Sequence, residues 1–370
     1  MTKISKNSSK KYFTEKVRAI EVSKKSVSQL LSEMATTGFQ GRKLAEVADV
    51  WQQMIEDPDL TIILGYAGSL STTGQWKMIN WLIENRYIDV LVATGANLSE
   101  DIVEAMGHSY WVGSHTADDV ELLHADVNRY YDVYGKETDY MDMTELIAQF
   151  YTKNLQENKP YSSREIFYLF GTWLWERGIK SIVATAAKYK VPIFCPAIVD
   201  SPYGDGGLIA KSKGFHLVID NMKDYTEFMG LGEKIKETGV VYIGGGVPKD
   251  FIQLLAVTAN LLYKERVIPG RKAKVIRNKR DGTLLETYYS HKYAIQITTD
   301  SPQWGGLSGC TFEEATSWGK EQVGAPKVQC YCDATIALPI VTHALAERIK
   351  TKRKAPDYSW FFKSLNGHSS

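Results

Sequence analysis

The stretch "EEATSWGKEQ", residues 313–322, sets Lys320 directly after a tryptophan and a glycine, with Glu313 and Glu314 seven and six positions upstream. A lysine acts as a nucleophile near neutral pH only if it sheds part of its proton, through desolvation or a neighbouring cation. Trp318 offers an apolar wall, and its indole face attracts cations. The same residues also suit an ordinary surface lysine, and the motif alone leaves both readings open. A second stretch, "YIGGGVPKDF" (242–251), runs an apolar segment into Gly244, Gly245 and Gly246 ahead of a helical pattern. Glycines at such a junction let backbone N–H groups approach a phosphate at a helix N-terminus. Lys249 stands where the last glycine of a G-x-G-x-x-G pattern belongs, so a nucleotide loop and a tight turn both remain open.

Further candidates follow other apolar runs. Thr94 and Gly95 close one, and Asp333 and Ala334 close another. A carboxylate there can accept from ribose hydroxyls, or Asp333 can cap the helix that begins near Thr335. "CPAIVDSPYGDGG" (195–207) places Asp200 and Asp205 five apart among prolines and glycines. A rigid acidic pocket of that kind suits an ammonium group, since the ligand spacing of a dedicated calcium loop is missing. Helix capping is the other reading of either aspartate. The seven histidines show no H-E-x-x-H pattern and no C-x-x-C accompanies them, so no metal site is expected.

The elements that must position these residues are legible from the hydropathy pattern. Helix-period apolar residues fill 25–56, broken near Gly38 and Gly41. Strand-like runs follow at 60–68, 87–97, 191–200, 215–220, 240–246, 293–300 and 327–335. They are apolar on both faces, alternate with helical segments and nearly all end in Gly, Thr, Asp or Ser. That pattern predicts a parallel sheet covered on both sides, with ligands beyond the carboxyl ends of its strands. The expected fold is α/β: a Rossmann-like, doubly wound, mostly parallel sheet with a helical N-terminal extension and further helices across 120–180. Residues 266–293, with a "DG" turn between β-rich arms, read as a β-hairpin insertion. The expected organisation is a flexible segment over 1–24, a single domain over 25–350 and a C-terminal tail over 351–370.

Composition excludes several classes. The 370 residues carry 44 Lys and Arg against 43 Asp and Glu, so bulk charge gives no case for nucleic acid or an anionic membrane. The basic run in 266–280 reads as a solvated hairpin arm, because few aromatics interleave with it. No run is long and apolar enough to span a bilayer, and the N-terminus lacks the apolar core of a secretory signal. Four cysteines, Cys195, Cys310, Cys330 and Cys332, are too few for a disulfide scaffold and are expected reduced, in a cytoplasmic protein.

Taken together, "EEATSWGK", "GGGVPK", "PAIVDSPYGD", "ATGANLSED", "TGFQGR" and "YCDA", the last beginning eleven residues beyond the lysine, resemble the deoxyhypusine synthase family. The motifs run in family order from about residue 30 to 345. The resemblance implies NAD-dependent transfer of a 4-aminobutyl group from spermidine, with loss of 1,3-diaminopropane, through an imine on Lys320. It implies that Trp318 packs along the polyamine and that Asp205 and Glu314 hold its ammonium ends. On the NAD side it points to Thr72, Thr94, Gly95, Glu100, Asp200, Gly245, Thr299, Asp333 and Ala334. It also implies a homotetramer with active sites at dimer interfaces.

The sequence departs from that pattern in places. Family members that modify a translation factor have histidine after the loop lysine, where this chain has Asp250 and then Phe251. They carry acids where this chain has Trp304 and Leu307. Carboxylate positions set the register of a row of cations. Moving them, with Asp250 added as a substrate contact, leads to the expectation of a small acceptor amine such as putrescine, giving homospermidine. The alternatives are a protein-modifying deoxyhypusine synthase, a transferase using a guanidinylated amine such as agmatine, a non-catalytic NAD or polyamine sensor, and a plain NAD-dependent dehydrogenase.

Overall fold

A computed structural model of the chain describes residues 12–262 and 290–362. Its centre is a six-stranded sheet of β1 (Leu60–Tyr66), β2 (Val90–Ala93), β3 (Ile193–Phe194), β4 (Glu237–Ile243), β5 (Tyr293–Thr298) and β6 (Lys327–Tyr331). All neighbours pair in parallel, in the order 6-5-4-1-2-3. This is the doubly wound order in which the chain reverses direction between β1 and β4, leaving a crevice beyond their carboxyl ends.

Burial on both faces explains why the strands read as continuous apolar runs. All seven residues of β1 are buried. Leu64, Tyr66, Val241, Ile243, Ile295 and Ile297 share one cluster with helices α1 (Val27–Met34), α2 (Phe39–Glu56) and α6 (Ala334–Arg348). Ile63, Val240, Tyr242 and Ala294 face the other way, against Ile252, Leu255 and Phe251 of α4 (Gly246–Leu262). Residues 12–24 are exposed throughout, and a capping box between Ser26 and Gln29 starts α1.

Three local features differ from the sequence reading. The run at 215–220 does not join the central sheet; Val218–Ile219 pairs with Pro160–Tyr161 in a separate two-stranded sheet. The run at 191–200 narrows to the two residues of β3, because Pro196 has no amide proton and the chain turns after it. A small antiparallel sheet of Trp111–Val112, Val127–Tyr130 and Val133–Lys136 was not anticipated. Its hairpin turns at Tyr131, with φ 57, in place of the glycine or asparagine that normally marks such a turn. The 266–293 insertion lies outside the described residues except at 290–293, where Tyr293 opens β5. Among the described residues no helix is long and apolar enough to cross a membrane.

Residues 353–362 close the second face. Arg353 donates to both carboxylate oxygens of the fully buried Asp89, at 3.0 and 2.9 Å, and to the Leu60 carbonyl at 2.6 Å. Asp89 also accepts from the Ile62 amide at 2.8 Å, while Tyr358, Phe361 and Phe362 enter the core. Arg86 Nη2 also lies 3.2 Å from Asp89 Oδ1, so loss of Arg353 leaves the buried carboxylate one cation and removes its two shorter charged hydrogen bonds, a cost of about 1.5–3 kcal/mol. Arg353→Ala is therefore expected to lower unfolding free energy by about that amount in urea denaturation. A loss under about 1 kcal/mol would show that the C-terminal segment does not hold Asp89 in place.

Candidate active site

The glycine of "SWGK" has a definite structural task. Helix α5 (Phe312–Ser317) is capped by Thr311, whose hydroxyl accepts from the Glu314 amide at 3.1 Å. The helix ends at Trp318, and Gly319 takes φ 76. The Gly319 amide donates to Thr316 O at 2.9 Å and the Lys320 amide to Ala315 O at 3.0 Å. This is the paired hydrogen bonding of a Schellman turn, which needs a left-handed residue, and glycine enters that region without a Cβ penalty. On its other side Lys320 accepts through its carbonyl from the His291 amide at 2.9 Å. The lysine backbone is held from both directions, so the side chain has a fixed starting vector.

That side chain enters a cavity of about 550 Å³ lined by Asp250, Leu307, Cys310, Glu314, Trp318 and their neighbours. Lys320 Nζ lies 3.5 Å from Asp250 Oδ1, 3.4 Å from Gln253 Oε1 and 5.7 Å from the centre of the Trp318 ring. The lysine side chain is 14% exposed, whereas Trp318 is 67% exposed. Lys320 is therefore not a solvated surface charge: it sits against an aromatic face with a carboxylate beside it. A second cleft, of about 390 Å³, lies at the amino ends of β1 and β4, among Asp59, Lys236 and Trp360, away from every strand-end loop named above.

Phe251 points away from the cavity and packs on Phe228 and Phe194 in the core, which leaves Asp250 to face Lys320. Leu307 lines the cavity, while Trp304 is exposed beside it.

Beneath the cavity lies a dry polar layer. Lys249 is buried and donates to Gln296 Oε1 at 2.8 Å and the Cys310 carbonyl at 2.6 Å. Gln329 donates to the same two oxygens, and Gln296 donates to Gly244 O and Ser308 O, each at 2.8 Å. Burial lowers the Lys249 ammonium to about 8. The layer ties the glycine loop to the 301–310 segment that forms one cavity wall. Glu321 and His291 are buried next to Lys320, and burial pushes the Glu321 carboxyl up to about 8 and the His291 ring down to about 3.

The glycine loop is more occupied than the sequence suggested. The Gly244 amide donates to Ile297 O at 2.8 Å and the Gly246 amide to Ser308 Oγ at 3.0 Å. A Cβ on Gly245 would stand 2.3 Å from the Ser308 Cα, so this glycine is required by close packing of the 301–310 segment. Gly246 (φ 56) and Gly68 (φ 82) have open space where a Cβ would be.

The other expected residues ring the carboxyl edge of the sheet. Thr94 donates to Gly68 O at 2.7 Å, and a Cβ on Gly95 would meet Ser201. Glu100 is buried, accepts from Ser69 Oγ and is pushed up to about 7, chiefly by burial. Thr72 is buried and donates to Ser69 O, whereas Thr299 and Asp200 are exposed. Asp333 caps α6, accepting from the Thr335 amide at 2.7 Å, and Ala334 opens that helix. Asp200 and Asp205 do not share a loop: helix α3 (Pro202–Ser212) has Pro202 in its first turn, and Asp205 lies on it, accepting from Tyr140 OH at 3.1 Å. Neither aspartate caps that helix, whose N-cap is Ser201. Asp205 does not line the Lys320 cavity.

Lys249, Gln253, His291 and Glu321 were missed by the sequence reading. Glu321 carried one signal, its place next to Lys320 in the chain. Lys249 stood in the GGGVPK motif beside Asp250 without a role being read for it, whereas Gln253 and His291 are joined to the site only by the fold. Glu321 holds its proton to about pH 8 when folded, against an ordinary value of 4.5. The native state thus binds more protons than the unfolded chain between those values, and stability falls as pH rises through that window. Glu321→Gln removes this fall. Its advantage over the wild type in chemical denaturation is expected to grow from pH 5 to pH 9 by about 3–5 kcal/mol; parallel stability curves would refute the assignment.

The family profile of deoxyhypusine synthase matches residues 29–345. Methanosarcina mazei holds two relatives of different closeness. "Probable deoxyhypusine synthase 2" is 46% identical over 344 residues, 92% of this chain and 93% of the relative. "Probable deoxyhypusine synthase 1" is 35% identical over 326 residues, 88% and 92% of the two chains. In fold, the chain is similar to the crystal structure of a candidate deoxyhypusine synthase from Entamoeba histolytica, with a TM-score of 0.58 at 18% identity over 90% of this chain and 98% of that one. The profile and the relatives, over nearly the full described length, show that the chain belongs to the deoxyhypusine synthase family, enzymes that transfer an aminobutyl group.

Proposed function

We propose that the protein moves a 4-aminobutyl group from spermidine, through an imine on Lys320, to a small acceptor amine such as putrescine. The observation that carries this reading is the placement of Lys320 between Asp250 and the Trp318 face in a cavity that Glu314 also lines. An alkyl chain bearing ammonium groups suits those walls: the indole covers methylenes, and two carboxylates take the charged ends.

NAD fits the carboxyl edge of the sheet, where the crevice between β1 and β4 is flanked by the open left-handed positions of Gly68 and Gly246. Thr72, Thr94, Gly95, Glu100, Asp200, Gly245, Thr299, Asp333 and Ala334 are the residues proposed to hold it. Bound there, NAD would accept a hydride from the donor and return it to the transferred group. The chain's own part is to present the Lys320 amine, to seat the polyamine against Trp318 and to exclude water with the 301–310 wall. Leu307 in that wall leaves the mouth apolar where protein-modifying members resembled by this sequence carry acids, which supports a small amine as acceptor over a lysine on a folded protein.

A second copy is proposed to complete the site, in a homotetramer with shared active sites. Asp205 is the ammonium-holding residue assigned by resemblance, and within one chain it does not line the cavity of Lys320. Its contribution from a neighbouring subunit reconciles the two.

Three experiments test the reading. Incubation with NAD, labelled spermidine and borohydride is expected to leave an adduct on Lys320, and Lys320→Arg should abolish it and cut turnover by at least about 10³-fold. With putrescine and a translation factor precursor offered together, label is expected in homospermidine; label on the protein alone would overturn the proposed acceptor. Mixing inactive Lys320→Arg with inactive Asp205→Asn should restore roughly a quarter of wild-type activity, since one intact site forms in each mixed pair. No recovery after dissociation and reassembly would refute shared sites.

A further inference from the structure

Lys320 has two neighbouring carboxyl groups of opposite character, one across an ion pair and one next to it in the chain. Asp250, 3.5 Å away, faces the cavity with 36% of its side chain exposed. Glu321, the next residue in the chain, is buried, and neither of its oxygens has a hydrogen-bond partner. Between them stands Gln253 on α4. Its Oε1 accepts from Lys320 Nζ at 3.4 Å, and its Nε2 is unpaired. The Gln253 amide acts on Glu321 as a nearby donor without reaching hydrogen-bonding geometry. His291 and Tyr242 complete the layer, each with a buried polar atom that lacks a partner.

A carboxylate stripped of partners in the interior favours its uncharged form, because burial penalises the anion. Glu321 accordingly supplies no counter-charge to the lysine around neutral pH. His291 is uncharged there as well. The remaining charged or titratable groups around the layer are Lys249, Lys327, Glu314 and Cys310. Two of these are cations, which oppose an ammonium on Lys320. Among the described residues, the one ion pair that Lys320 makes is with Asp250.

The geometry points to Asp250 as a displaceable counter-ion of Lys320: an organic cation entering the cavity takes Asp250, and the lysine, left without an ion-pair partner among the described residues, gives up its proton more readily. In that step the Lys320 ammonium loses one proton, which leaves through the cavity mouth to solvent. The nitrogen lone pair is then available, and no bond to carbon has yet formed. Asp250 exchanges one cationic partner for another, so the charge at the mouth is unchanged. The nucleophile is thereby released by the arrival of a cation of the class it is to attack. This inference rests on the proposed polyamine substrate for its biological meaning, but the electrostatic coupling stands or falls separately.

The test reads the proton affinity of Lys320 directly. Trace acylation with acetic anhydride from pH 6 to 10, followed by peptide mass mapping, gives the free-amine fraction without NAD or polyamine. Opposite charges about 4 Å apart near a protein surface shift a proton equilibrium by about one pH unit or more. Asp250→Asn is therefore expected to move the Lys320 profile down by about one unit, or about tenfold faster labelling at pH 7.5. Tetramethylammonium, which cannot itself be acylated, should shift the wild-type profile in the same direction and leave Asp250→Asn unmoved. Glu321→Gln should match the wild type at pH 7 and label faster only above about pH 8, where the native carboxyl begins to ionise. Asp250→Ser serves as a second variant, and thermal unfolding verifies that each remains folded. An Asp250→Asn profile superposed on the wild type, a wild type indifferent to tetramethylammonium, or a Glu321→Gln shift already present at pH 7 would each overturn the inference. Failure of the polyamine reading would show differently, as a missing borohydride adduct with the labelling shifts intact.

Discussion

The site depends on how the backbone of a single residue is held. Lys320 is fixed through its amide by the Schellman turn that ends α5 and through its carbonyl by the His291 amide. A long, flexible side chain loses considerable rotamer entropy on ordering. Anchoring its backbone on both sides confines that loss to the side chain and directs it into the cavity. Gly319 is a helix terminator, and its left-handed conformation reverses the chain so that the amine comes back against the Trp318 ring.

The layer under the amine is polar, buried and short of counter-charges, which is unusual for an interior. Lys249 lies among carbonyl and amide oxygens, and among the described residues no carboxylate is bonded to it. Such a cation is tolerable where several oxygens share it, and the Gln296 and Gln329 amides complete that arrangement. The same layer leaves Glu321, His291 and Gln253 with polar atoms unpaired. Local conflict of this kind concentrates at functional sites.

The rest of the molecule is conventional by comparison. Two apolar clusters cover the parallel sheet, and its carboxyl edge collects the glycine loop, Thr94, Glu100 and Asp333. Most of these residues already have protein partners: Asp333 caps a helix, Glu100 holds Ser69 and Gly245 makes room for Ser308. Capping and ligand contact are compatible uses of one carboxylate, since it has more acceptor sites than a cap consumes. Phe251, by contrast, is committed to the core, so at this position of α4 the residue that addresses the cavity is Asp250.

Much of this was legible in the sequence. Apolar runs of strand length between helical patterns determine a two-sided parallel sheet, because only burial on both faces explains them. The motif around Lys320, with Trp318, Glu314 and Asp250, determines the family and the residues that meet in the cavity. What tertiary structure alone decided is which side each residue faces and what lies behind it. Hydropathy could not place the 215–220 run in a separate sheet, and a hairpin turning on Tyr131 lacks the residues by which hairpins are read. Nor could it join Gln253, His291 and Glu321, separated by up to 68 positions, into one dry layer. Proton affinity depends on desolvation and on neighbours through space, and those are properties of packing that a linear order of residues does not contain.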